Sequence, residues 1–111
     1  MKELTKAEEM VLLTILNLKE NAYGVAMRQR IKETTGSVLP YGTLYFLLEQ
    51  LAKKGYVTRT SGESSSERGG RPRIFYTLSF KGRKALQEAY EFHQKIWKEY
   101  PKEAWEKGTE K

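Results

Sequence analysis

Behind the stretch "TKAE", Val11, Leu12, Ile15, Leu16 and Leu18 recur at helical spacing, and Thr5 with Glu8 has the pattern of a capping box. These positions predict a first helix from about Lys6 to Leu18. "KENAYG" breaks the pattern, and a second helix follows with Met27, Ile31 and Thr34 on one side and Arg28, Arg30 and Lys32 spread over the rest. Gly36 is its natural C-terminal stop. After "SVLP", Pro40 stands where a helix can begin, and Leu44, Leu47, Leu48 and Leu51 form one apolar stripe that ends at Gly55.

The period then changes from helical to alternating. "YVTRT" reads as a short strand, "SGESSSERGGRP" as a polar glycine-rich loop, and "RIFYTL" as a second strand. In the second strand Ile74, Tyr76 and Leu78 alternate with Arg73, Phe75 and Thr77. Together they predict a hairpin with a long flexible tip. Ser79 can cap a last helix on which Leu86, Ala89, Tyr90, His93, Ile96, Trp97 and Tyr100 line up at three- and four-residue steps before Pro101. About 20 helical residues span roughly 30 Å, so this helix is too long and too aromatic on one side to be satisfied within so small a domain. Residues 101–111 read as a loosely ordered tail in which Trp105 has no assigned role.

Helical phase separates two faces of the third helix. At about 100° per residue the leucines point one way, while Gly42, Phe46, Glu49 and Lys53 point the other, with Thr43, Tyr45 and Gln50 on the flanks. Three helices, the third presenting polar and aromatic groups, followed by a basic hairpin, are the parts of a winged helix-turn-helix. The expected class is therefore mainly α with a small β-hairpin (α+β). In this arrangement the third helix enters the major groove with its positive N-terminal end near phosphate.

Each candidate contact has a chemical reason and a plainer alternative. Gly42 would let the backbone approach the sugar-phosphate chain, and the hydroxyls of Tyr41 and Thr43 could donate to phosphate or a base edge. Tyr45 joins this candidate set, although its ring and that of Tyr41 could equally pack against neighbouring helices. Lys53 and Lys54 would add charge farther along, and Arg68, Arg71 and Arg73 would do so from the wing, where Gly69 and Gly70 free the tip to follow the backbone. The alternative for the wing is a solvated hairpin with ordinary surface arginines. Phe46 either packs within the protein or meets a thymine methyl or a sugar, and Glu49 either accepts from a cytosine amino group or is held by Lys53 one turn away.

Composition narrows the field further. At 111 residues the chain has room for one domain with a modest core. Its formal charge of +6 suits a polyanionic partner. With no cysteine, disulfides, thiolate metal sites and cysteine nucleophiles are excluded. A single histidine and the absence of aspartate argue against a metal site at His93. No converging acid, base or nucleophile is visible, and the wing glycines lack the Lys-Ser/Thr ending of a phosphate-binding loop, so neither catalysis nor a cofactor is expected. "MKELTKAEEM" has no apolar core of signal-peptide length and no stretch reads as a membrane span, which makes a cytoplasmic protein the expectation.

Four stretches taken together resemble the PadR family of transcriptional regulators: "YG" at Tyr23–Gly24, "GTLY" at Gly42–Tyr45, "LEQLAKKGYV" at Leu48–Val57 and "GRPRIFYTLSFKGRKAL" at Gly70–Leu86. The resemblance covers about Leu12 to Leu86. It implies a homodimeric repressor whose winged helices bind double-stranded DNA at a palindromic operator, with half-sites about one helical turn apart. Residues 1–78 would form the DNA-binding domain and residues 79–100 a dimerisation helix, with Leu86, Tyr90, His93, Ile96, Trp97 and Tyr100 at its interface. In some relatives a flat aromatic ligand inserts at that interface beside a tryptophan, which makes His93 and Trp97 a candidate pocket for a small aromatic ligand. The chain departs from the family where Phe46 follows "GTLY" in place of the usual proline, and it has one helix after the wing, as in the short-tailed branch. A winged helix that binds protein rather than specific DNA is the competing expectation. One exposed basic face holding Thr43, Lys53, Arg71 and Arg73 would separate the two.

Overall fold

The computed structural model of the chain describes residues 3–62, 73–100 and 105. Helix α1, Lys6–Leu18, starts at the capping box: the Thr5 hydroxyl accepts from the Glu8 backbone N–H at 3.0 Å, and the Glu8 carboxylate accepts from the Thr5 N–H at 2.9 Å. A single 3₁₀ turn, Lys19–Asn21, leads to α2, Gly24–Thr35. That helix ends where Gly36 takes φ +80°, a left-handed conformation that glycine adopts without steric cost. Helix α3, Tyr41–Lys53, is followed by Gly55 at φ +81° and then by strands β1, Val57–Ser61, and β2, Ile74–Leu78. Helix α4, Phe80–Glu99, completes the order.

The two strands pair antiparallel, from Val57 opposite Leu78 to Ser61 opposite Ile74. The segment before α2 extends this ribbon: the Tyr76 N–H donates to the Ala22 carbonyl at 2.9 Å, and Tyr23 bridges to Phe75. This ties the wing to the helical unit. The hairpin tip, with Arg68 and Arg71, lies outside the described residues, as does the tail apart from Trp105.

One core joins all the elements. Val11, Leu12 and Ile15 of α1 meet Met27 of α2, Leu44, Leu48 and Leu51 of α3, and Val57, Tyr76 and Leu78 of the ribbon. Burying a side chain of this size is worth about 1.5–3 kcal/mol, so the leucine stripe of α3 rotates that helix and commits its other side to solvent. In β2 the alternation holds at Tyr76 and Leu78, while Ile74 at the far end of the strand is exposed.

Two polar clasps lock α3 and α4 to this core. The Lys54 ammonium pairs with the Glu8 carboxylate, which is only 5% exposed. Burial opposes ionisation of Glu8, but the Lys54 partner and the Thr5 N–H outweigh it, and its pKa lies below the usual carboxylate value. At the start of α4, the Ser79 hydroxyl accepts from the Gly82 N–H at 3.0 Å and donates to the Gly55 carbonyl at 2.6 Å. Gly82 itself lies against the Tyr56 carbonyl, where a Cβ would stand 2.2 Å from the oxygen.

Candidate nucleic-acid interface

The outward line of α3 is the one its leucine phase dictates. Gly42, Phe46, Glu49 and Lys53 are all exposed, as are Thr43 and Tyr45 on the flanks. Pro40 precedes the helix and provides no side-chain cap, so the first-turn N–H groups of α3 have no side-chain partner of the kind that Thr5 gives α1 or Ser79 gives α4. A Cβ added at Gly42 would meet no atom within 4 Å. Among the described residues nothing therefore requires glycine there, although glycine costs a helix up to about 1 kcal/mol relative to alanine.

The tyrosines of this helix are held from behind by α2. Tyr41 and Tyr45 stack with ring centroids 6.0 Å apart, and the Arg28 guanidinium lies 4.4 Å from the Tyr41 ring centroid. Arg28 also donates to the Leu39 carbonyl at 2.8 Å, fastening the link between α2 and α3. The Tyr45 ring lies over Gly24, where an added Cβ would stand 2.1 Å from the phenolic oxygen. Both rings remain partly open, Tyr41 at 38% and Tyr45 at 46% exposure. They thus combine packing with an accessible edge.

The charges are distributed differently from the sequence expectation. Glu49 pairs with Arg59 of β1 at 3.4 Å rather than with Lys53, so its charge is met from the wing and Lys53 stays solvent-facing. Lys54, expected to add charge beside Lys53, is instead committed to Glu8. At the base of the wing the Arg73 guanidinium sits 4.1 Å from the Tyr23 ring centroid, and Tyr23 meets Phe75 edge-on at 5.5 Å. Arg28 and Arg59 therefore shape this surface although nothing in their own segments marks them for it. Their partners lie on other elements.

Helix α4 carries a second, apolar surface. Tyr90, Ile96, Trp97 and Tyr100 are between 44% and 63% exposed, and Trp97 meets Trp105 with centroids 5.5 Å apart. Leu86 differs from the rest of that stripe, because it is half-buried against the core of its own chain. His93 contacts the Glu9 carboxylate of α1 at 3.1 Å. It also lines two hollows, one of about 600 Å³ beside Met10, Leu13 and Ile31 and one of about 100 Å³ beside Ala85, Ala89 and Phe92. Trp97 borders neither. Among the described residues no acidic or histidine cluster could hold a metal ion, and no helix is long and apolar enough to cross a membrane.

Comparison with known proteins bears on the fold and the family. Solved structures share the fold, among them the following three. A PadR-like transcription factor from Bacteroides fragilis is 28% identical, with a TM-score of 0.70 over 86% of this chain and 88% of that one. A PadR-like regulator from Bacillus cereus is 19% identical, with a TM-score of 0.71 over 91% and 93% of the two chains. A PadR family regulator from Eggerthella lenta is 23% identical, with a TM-score of 0.70 over 91% and 86%. No curated protein matches the sequence. The family model described as the transcriptional regulator PadR-like family matches residues 12–88, from the core of α1 through the wing into α4. This chain belongs to the PadR-like family of transcriptional regulators.

Proposed function

We propose that the protein is a cytoplasmic, homodimeric repressor that binds a palindromic operator through α3 and the wing. The observation that carries this reading is the outward line of α3. Gly42 faces open space, Thr43 and Lys53 are exposed, and the one carboxylate on the line is met by Arg59. A bare backbone at the start of a helix suits close approach to phosphate, and the Arg59 partner of Glu49 lessens the repulsion that would oppose it. In this reading Tyr41, Gly42, Thr43 and Tyr45 meet the groove, while Lys53 with Arg68, Arg71 and Arg73 meets phosphates.

The exposed apolar side chains of α4 support the dimer, because an aromatic stripe of this length is poorly accommodated by water. Tyr90, His93, Ile96, Trp97 and Tyr100 form its interface, and a small aromatic ligand seated between His93 and Trp97 is the release signal. The decisive experiment is fluorescence anisotropy with a labelled duplex from the region upstream of the protein's own coding sequence, beside a scrambled duplex, over a salt series. Preference for the native duplex that survives moderate salt is expected, with Thr43→Val costing more on that duplex than on the scrambled one. Equal, salt-sensitive binding to both would refute specificity at this site. No binding even at low salt would turn the α3 face into a protein-docking surface.

A further inference from the structure

Phe46 is the one large apolar side chain at the centre of the outward line of α3, and it is 61% exposed. Among the described residues the aromatic pairs nearest to it join Tyr41 with Tyr45 and Tyr23 with Phe75, and no aromatic pair includes Phe46. Its neighbours along the line do not cover it. Gly42, one turn earlier, has no side chain, and Glu49, one turn later, reaches towards Arg59. The phenyl ring therefore stands clear of the helix, about 6 Å along the axis from Gly42 and about 10 Å from Lys53.

We propose that Phe46 is a specificity-determining residue that packs against the C5-methyl group of a thymine, so that each operator half-site carries a thymine at the position it faces. The inference rests on the reading of α3 as the helix that enters the major groove. Base edges in that groove present donors, acceptors and a single apolar feature, the thymine methyl. A phenyl ring has no donor or acceptor. Placed against guanine, adenine or cytosine it strips water from polar atoms without replacing the lost hydrogen bonds, whereas against thymine it buries hydrocarbon on hydrocarbon. Arg59 at Glu49 and the solvent-facing Lys53 keep the surroundings of the ring compatible with phosphate.

The test begins by enriching binding sites from a pool of random-sequence duplexes with the wild-type protein. Each thymine of the enriched site is then replaced by deoxyuridine, which removes the methyl and nothing else. The expected result is one thymine per half-site whose replacement weakens wild-type binding about fourfold, the value of one buried methyl group. Phe46→Ala should be indifferent to that replacement, and Phe46→Leu should keep part of the response. A site at which no thymine responds, or at which wild type and Phe46→Ala lose equally, overturns the role of Phe46 and leaves α3 as the reading helix. A pool from which no sequence is enriched overturns base reading by α3 and Phe46 together.

Discussion

Replacing Gly82 with alanine drives a methyl group into the backbone of the segment that joins α3 to β1. The new Cβ would stand 2.2 Å from the Tyr56 carbonyl oxygen and 3.0 Å from its carbon. That carbonyl cannot swing aside, because it accepts from the Ser79 N–H at 3.0 Å while the Ser79 hydroxyl holds the Gly55 carbonyl at 2.6 Å. Helix α4 must therefore retreat by about 1 Å to restore ordinary contact, stretching the bonds that fix its start. Overpacking of this kind costs about 1–3 kcal/mol, and alanine returns at most about 1 kcal/mol through helix propensity. Because the clash is at 2.2 Å and with backbone, the upper end of that cost applies, and the net expectation is a loss of about 2 kcal/mol, equivalent to a Tm lower by roughly 8–16 °C in a domain of this size. Urea and thermal unfolding followed by circular dichroism measure it, at one protein concentration because self-association raises the apparent Tm. A Gly82→Ala protein as stable as wild type, or more stable, would refute the argument, since propensity alone favours alanine.

The two adjacent lysines should separate cleanly. Lys53→Ala should lower the slope of log affinity against log salt by about 0.9 without moving the urea midpoint, whereas Lys54→Ala should lower the midpoint by leaving Glu8 buried and unpaired, and spare the slope. The acid limb of stability should depend on Glu8. Its folded pKa is depressed, so its contribution is complete above the unfolded value of about 4.3 and is lost as the pH falls through the lower folded value. Urea midpoints of Glu8→Gln across that window should fall less steeply with acidification than those of wild type, and parallel curves would remove Glu8 from the account. In the proposed dimer, Trp97→Ala should weaken self-association in analytical ultracentrifugation by tenfold or more, on the order of 1.4 kcal/mol, and a wild-type protein that stays monomeric, or a dimer constant that the substitution leaves unchanged, would refute the α4 interface.

What the chain alone determined is what local physics sets. The capping box at Thr5 and Glu8, the stops at Gly36 and Gly55 and the cap at Ser79 each act over one turn, and the structure starts or ends helices at each of them. The leucine period of α3 likewise settled which of its residues face water, because a helix rotates rigidly with its buried stripe. Partnerships were legible only where the partners share an element. Lys54 and Glu8 are 46 residues apart in sequence, Glu49 finds Arg59 across the helix–strand corner, and Arg28 reaches Tyr41 from another helix. Tyr45 lies over Gly24, and Gly82 over the Tyr56 carbonyl, for the same reason. Such contacts depend on the angle and spacing at which elements pack, which are set by the whole core at once and leave no periodic trace in any one segment. Local periodicity thus chose the face of α3, and tertiary packing decided which of its charges remain free to meet a partner.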